Sequence, residues 1–183
     1  DRPEREHIQS AVNGLLGDHL ASSGNPLAIT MQVRKNGATL DLNREALSSA
    51  LPEAGGRILM LVHGLCMNDR QWTRRGHDHG QALAQALGYT PVYLHYNSGR
   101  HVSQNGREFA ALLERLVADW PVPVEELVIV GHSMGGLVAR SACHLGAKQR
   151  WMKRLTKLVF LGTPHHGAPL ERGGRLIDAA LGV

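Results

Sequence analysis

The amino-acid sequence predicts an α/β fold in which an antiparallel hairpin precedes a doubly wound, mostly parallel sheet. From residue 57 onward, short apolar runs alternate with amphipathic segments, which is the pattern of parallel strands covered by helices on both faces. Earlier in the chain, Asn36-Gly37 stands between two strand-like segments and is the strongest short hairpin signal. A chain of 183 residues is long enough for one core, so we expect a single domain, residues 1–183.

The first part of this domain, residues 1–52, is predicted to hold a helix and the hairpin. Residues 27–33 are predicted as one strand, a second strand runs through Leu42, and a short helix covers residues 44–51. Apolar residues at helical spacing predict an amphipathic helix before them that buries Ile8, Ala11, Val12, Leu15, Leu16 and His19.

The core, residues 57–168, is predicted to alternate strands with helices. Gln81 to Leu87 and Met134 to Leu145 form helices that end at glycines. Asn105 and Glu108 predict a capping box for the helix that leads to Trp120. The predicted strands are Arg57 to Val62, Pro91 to His95, Leu127 to Val130 and Thr156 to Leu161.

The segment between the third predicted strand and its helix reads Gly131-His132-Ser133-Met134-Gly135. A G-x-S-x-G pattern in this position places the serine on a sharp strand-to-helix turn, where larger side chains at the glycine positions would collide. Open α/β sheets bind ligands at the carboxyl edge of their strands, and the following helix N-terminus favours a developing negative charge. Ser133 is therefore the candidate nucleophile, against the alternative of a glycine-rich turn with an incidental serine.

A second feature follows the first buried strand of the core, which ends in His63-Gly64-Leu65. An oxyanion hole in such a sheet combines a backbone N–H from this loop with the N–H that follows the nucleophile. Those donors would be Leu65 and Met134, with Gly64 allowing the loop to pass close to the substrate. We interpret His63 as a residue that orients the loop rather than as a base.

Together with the segment Leu161 to Gly167 (LGTPHHG), these two motifs resemble the lipase-type α/β-hydrolases. The closest groups are the bacterial triacylglycerol lipases and the glycosylphosphatidylinositol inositol-deacylase-like proteins, and the resemblance covers Arg57 to Ala168. It implies hydrolysis of carboxylic esters on an apolar or lipid substrate. It also implies that the histidine of the G-T-P-H-x-G segment is structural, and that a lid or cap begins at residues 169–183.

The resemblance implies a triad in the chain order serine, acid, histidine. After Ser133 the acids are Glu171 and Asp178, and no histidine follows either of them. We expect the acid and the base beyond residue 183, in a longer polypeptide whose C-terminal strands are missing here. The alternative is a non-catalytic module of the same fold that binds a lipid or a protein partner.

Composition limits the remaining partners. The net charge of +4 comes from scattered basic residues, so we expect no nucleic-acid partner. No apolar run approaches the roughly 20 residues that span a bilayer, so we expect no transmembrane segment. Transient contact with a lipid surface is still compatible with the sequence. No cofactor and no metal are expected, and we interpret Asp78 with His77 and His79 as a solvated cluster that caps a turn.

The two cysteines, Cys66 and Cys143, are expected as free, buried thiols. The oligomeric state stays open, and so does the compartment. The cytoplasm is slightly favoured, with a removed leader peptide as the alternative.

Overall fold

The computed structural model of the protein describes residues 2–167, which surround a six-stranded sheet. The helices are α1 (Arg2–Ser22), α2 (Arg44–Ala50), α3 (His79–Leu87), α4 (Val102–Asp119) and α5 (Met134–Leu145), with 3-10 helices at Asp69–Trp72 and Arg150–Lys153. The strands are β1 (Gln32–Lys35), β2 (Ala38–Thr39), β3 (Arg57–Val62), β4 (Thr73–Arg74), β5 (His77–Asp78), β6 (Thr90–His95), β7 (Glu126–His132) and β8 (Leu155–Leu161). Strands β4 and β5 form a separate small hairpin.

The main sheet has the strand order β2-β1-β6-β3-β7-β8. Strands β6, β3, β7 and β8 are parallel to one another, whereas β1 is antiparallel to both of its neighbours. The predicted α/β class, with its mostly parallel sheet and N-terminal hairpin, is therefore confirmed. Because β3 and β7 are parallel neighbours, their carboxyl ends meet at one edge of the sheet, where the two sequence motifs begin.

Alternate residues of β3 supply two hydrophobic cores, one on each face of the sheet. On one face Ile58, Met60 and Val62 pack with buried residues of α4 and α5, among them Phe109 and Val138. On the other face Leu59 and Leu61 pack with a smaller cluster: Trp72, Tyr93, Val128 and Val130. Both faces of β3 are thus covered, as the continuous apolar run of the sequence predicts.

Helix α1 is present, but its predicted orientation is wrong. Leu15 is 79% exposed and Ile8 is 66% exposed, so the apolar stripe faces outward. The inward face instead consists of polar, small and apolar side chains: Ser10, Asn13, Gly17 and Leu20. The reason is tertiary, because this face lies against polar loops of the core rather than against an apolar surface.

Three further local predictions differ from the structure. The strand predicted at residues 27–33 is shorter than predicted and begins five residues later, at Gln32. The capping box is wrong: α4 begins at Val102, and the buried amide of Asn105 donates to the carbonyl oxygen of Asn97 instead (2.9 Å). Helix α3 begins at His79, two residues before the predicted start at Gln81. The predicted start of a lid at residues 169–183 lies outside the described residues.

Within residues 2–167, no helix is both long enough and apolar enough to cross a bilayer.

The orientation of α1 can be tested by truncating one leucine on each of its faces. Leu20 is 5% exposed, so Leu20→Ala should lower the free energy of unfolding by about 2 kcal/mol or more. Leu15→Ala should change it by less than about 0.5 kcal/mol, because a side chain that is 79% exposed loses little burial. Urea denaturation of both variants measures the difference, and the reverse ranking would mean that the apolar stripe faces the core.

Candidate functional site

Ser133 is the single residue between the last residue of β7, His132, and the first residue of α5, Met134. Its φ is 52° and its ψ is −126°, in a positive-φ region that serine rarely adopts. Strain of this kind persists only where the surrounding structure enforces it. The side chain is half-buried, and its hydroxyl has no hydrogen-bond partner among residues 2–167.

The glycines of the motif allow backbone segments to touch on both sides of Ser133. A Cβ atom added to Gly131 would lie 2.5 Å from the Cα of Gly136. A Cβ atom on Gly135 would lie 2.5 Å from the carbonyl oxygen of Val62 and would overlap that of His63. The turn is therefore pressed against the end of β3, and only glycine fits at these positions.

The loop after β3 passes directly beside the nucleophile. A Cβ atom on Gly64 would lie 3.1 Å from the Cβ of Ser133. The backbone N–H of Ser133 is occupied, since it donates to the carbonyl oxygen of Leu161 (2.8 Å). In contrast, the N–H groups of Leu65 and Met134 have no acceptor within residues 2–167. Two candidate oxyanion donors are thus free on either side of this contact.

His63 is fully buried at the start of this loop. Its Nδ1 lies 2.9 Å from the carbonyl oxygen of Gly64, and its ring stacks on that of Tyr96 at 4.4 Å between centroids. The hydroxyl of Tyr96 donates to the carbonyl oxygen of His63 (2.8 Å). Burial lowers the pKa of His63 to about 4, so the ring is neutral at neutral pH. These contacts suit a residue that fixes the loop.

His132 and the G-T-P-H-x-G segment lie around the same turn. The ring of His132 is half-buried and meets that of Trp72 edge-on, 6.4 Å between centroids. A Cβ atom on Gly136 would overlap the hydroxyl of Thr163, so the first turn of α5 packs tightly against this segment. The Nδ1 of His165 lies 3.3 Å from a guanidinium nitrogen of Arg140, which directs this histidine toward α5.

A groove of about 620 Å³ opens beside His132, on the face of the sheet that α3 covers. Its floor is mostly apolar, and its rim carries Arg74, His77 and His79. The apolar part of this lining was not predicted from the sequence, although Trp72 is conspicuous as an aromatic residue in a polar stretch. The apolar lining residues are Met67, Trp72, Ala82, Leu83, Val130 and Leu161.

Asp78 caps a helix, as predicted, whereas the two cysteines are half-buried rather than buried. Asp78 accepts hydrogen bonds from the N–H of Gln81 (2.8 Å) and the hydroxyl of Tyr93 (2.5 Å), and so caps α3. The rings of His77 and His79 lie 5.0 Å apart. Within the described part of the chain, no group of three or more His, Cys, Asp or Glu residues could hold a metal ion. Cys66 and Cys143 are both free.

Comparison with known proteins gives a family and a fold. Residues 53–180 match the family model described as the PGAP1-like alpha/beta domain. The lipase BlEst2 of Bacillus licheniformis is similar in structure at 21% identity, with TM-scores of 0.54 for its propeptide form and 0.55 for its mature form. The matches cover 77% and 84% of this chain, but only 27% and 57% of the respective lipase chains. No curated protein matches the sequence.

The buried, neutral His63 predicts a specific dependence of stability on pH. The pKa of His63 is about 4 in the folded state, against an ordinary value of 6.5, so the unfolded chain binds more protons between these values. The free energy of unfolding should therefore fall as the pH falls from about 6.5 to about 4. Over the range from pH 7 to pH 4.5, His63→Gln should lose about 2 kcal/mol less than the wild type.

Denaturation at a series of pH values measures this difference. At pH 8 the imidazole is neutral in both states, so the difference between the two proteins there gives the packing cost of the substitution alone. Equal pH dependence of the wild type and His63→Gln would contradict the buried, neutral state of His63.

Proposed function

This chain belongs to the PGAP1-like alpha/beta domain family, and from that premise we propose that it carries the nucleophile of a carboxylic-ester hydrolase of the esterase or lipase kind. Ser133 is the nucleophile in this proposal. The observation that carries it is the positive-φ turn at Ser133, which is held against the loop of Gly64 with an unbonded hydroxyl. A strained serine with a free hydroxyl between a strand and a helix is typical of a nucleophile turn.

In the proposed reaction, the Oγ of Ser133 attacks the ester carbonyl carbon while a base accepts its proton. The negative charge that develops on the carbonyl oxygen is stabilised by the N–H groups of Leu65 and Met134 and by the N-terminus of α5. The intermediate then expels the alcohol, which takes the proton from the base, and leaves an acyl group on Ser133. Water releases this group as a carboxylic acid. The chemistry requires no cofactor.

The neighbouring residues have supporting roles in this proposal. Gly131 and Gly135 allow the turn to form, and Gly64 allows the oxyanion loop to approach Ser133. His63 fixes the start of that loop, because its ring is neutral and contacts both Gly64 and Tyr96. His132, which directly precedes Ser133, lines the groove.

We propose that the acid and the base of the triad lie beyond Val183. Two observations support this arrangement. The hydroxyl of Ser133 has no partner within residues 2–167. The chain spans 57% of the mature Bacillus lipase and 27% of its propeptide form, so the structurally similar proteins are considerably longer.

The groove beside His132 favours an ester with an apolar acyl chain. Its lining is mostly aliphatic and aromatic, and a volume of about 620 Å³ is within the usual range for a small-molecule site. Substrates of this kind partition into lipid, so transient contact with a lipid surface belongs to the proposal. The Bacillus protein is itself described as a lipase.

The proposal is tested by reacting the polypeptide, as the cell makes it, with a fluorophosphonate probe, which labels activated serines. The wild type should be labelled, and Ser133→Ala should lose the label and at least about 1,000-fold in ester turnover. Ser103→Ala is the matched control, because Ser103 is exposed on α4, and it should be labelled like the wild type.

Equal labelling of Ser133→Ala would contradict the proposal. Binding of a long-chain ester without turnover, together with no labelling of the wild type, would favour the non-catalytic binding module.

A further inference from the structure

We propose that helix α1 holds the oxyanion loop, residues 63–68, in position, and that Glu6 is the positioning residue of this contact. The inference rests on the proposed function of that loop and goes beyond it, because α1 lies outside the family match, which begins at residue 53. The inward face of α1 is largely polar and contacts Cys66 and Asn68 of the loop, and therefore does more than cover a core.

The first contact is ionic and partly buried. The Oε2 of Glu6 lies 2.6 Å from the Nε of Arg70 and 3.6 Å from a guanidinium nitrogen of Arg34, and the side chain of Glu6 is 13% exposed. The same nitrogen of Arg34 lies 3.2 Å from the Oδ1 of Asp69. Asp69 and Arg70 begin the 3-10 helix that directly follows the loop, so Glu6 is linked to the end of the loop through two arginines.

Asp69 makes this network sensitive to the loss of any member. Its side chain is 3% exposed, and its Oδ1 lies 3.0 Å from the Nδ1 of His95. Burial raises the pKa of Asp69, but the contact with His95 and the charge of Arg34 outweigh burial and hold the pKa below its ordinary value. Asp69 is thus a buried carboxylate, and removing one partner from such a group is costly.

The second contact is made by the middle of α1. The amide of Asn68 donates to the hydroxyl of Ser10 (3.3 Å) and lies 3.2 Å from the Nδ1 of His7. A Cβ atom on Gly14 would overlap the sulfur of Cys66, so the helix touches the loop without a side chain between them. Gly14 therefore has a packing reason that the apolar pattern of the helix does not reveal.

The opposite side of the loop is held by the turn after β6, which α1 also contacts. The N–H of Cys66 donates to the hydroxyl of Ser98 (3.0 Å), and the amide of Asn97 donates to the carbonyl oxygen of Gly17 (3.0 Å). Leu65 lies between two fixed neighbours, since Gly64 is against Ser133 and Cys66 is bonded to Ser98. Helix α1 contacts Cys66 through Gly14 and the turn after β6 through Gly17, so the direction of the Leu65 N–H also depends on the position of α1.

This dependence predicts a catalytic effect from residues that never touch the substrate. If α1 releases the loop, the Leu65 donor moves away from the developing oxyanion, whose stabilisation exists only in the transition state. The maximal rate should then fall while substrate binding stays nearly unchanged. If the role of α1 were purely structural, its loss would lower the free energy of unfolding without lowering the maximal rate selectively.

The test is Glu6→Gln, which removes the charge but keeps the shape, in the polypeptide as the cell makes it. We expect kcat to fall roughly tenfold or more with KM within about threefold, because small misplacements of catalytic groups have effects of this size. Hydrogen exchange should become faster in residues 63–72 and stay unchanged in β7. Asp18→Asn is the matched control: this carboxylate is on the same helix, is 48% exposed, and should affect neither measurement.

Unchanged exchange of residues 63–72 in Glu6→Gln would overturn the proposal, as would a loss of stability with wild-type kcat. Faster exchange of the loop, with no ester turnover by the wild type, would support the positioning role and contradict the hydrolase proposal. If Glu6→Gln does not fold, Arg70→Lys removes only the guanidinium geometry. It should show the same changes to a smaller extent, and wild-type values for Arg70→Lys would equally overturn the proposal.

Discussion

The contact between Gly135 and the carbonyl groups that end β3 determines where the nucleophile turn can lie. Strand β7 is hydrogen-bonded to β3 along its length, and only Ser133 separates the end of β7 from the start of α5. The chain must therefore reverse within one residue and bring the first turn of α5 over the end of β3. Gly135 makes this approach possible, and Ser133 takes the strained conformation that results.

Other features of the site follow from this contact. The loop of Gly64 leaves β3 at the point where α5 begins, so it passes so close to Ser133 that a Cβ atom on Gly64 would lie 3.1 Å from the Cβ of Ser133. His63 and Tyr96 fill the space behind the loop, and α1 closes its outer side through Glu6 and Ser10. The proposed oxyanion hole is therefore formed by backbone groups whose directions are set by neighbours on every side.

The sequence predicts the parts of this arrangement that depend on local pattern. Apolar runs predict β3, β6, β7 and β8, and the glycine spacing predicts the position of Ser133 between strand and helix. The orientation of α1 could not be predicted from its sequence pattern. The polar face of α1 lies inward because it bonds to residues such as Asn68 and Arg70, which are about 60 residues away in the chain. Asn105 illustrates the same limit, since its buried bond to Asn97 replaces the local capping box.

The close packing of Gly135 against the end of β3 can be tested by adding one methyl group, in Gly135→Ala. Within a helix this change normally stabilises by up to about 1 kcal/mol. Here the new Cβ would meet the carbonyl oxygens of Val62 and His63, so the free energy of unfolding should fall by about 2 kcal/mol or more. The control is Gly55→Ala, because a Cβ atom on Gly55 meets nothing within 4 Å. A Gly135→Ala protein as stable as the wild type would mean that Gly135 is not packed against the carbonyl oxygens of Val62 and His63.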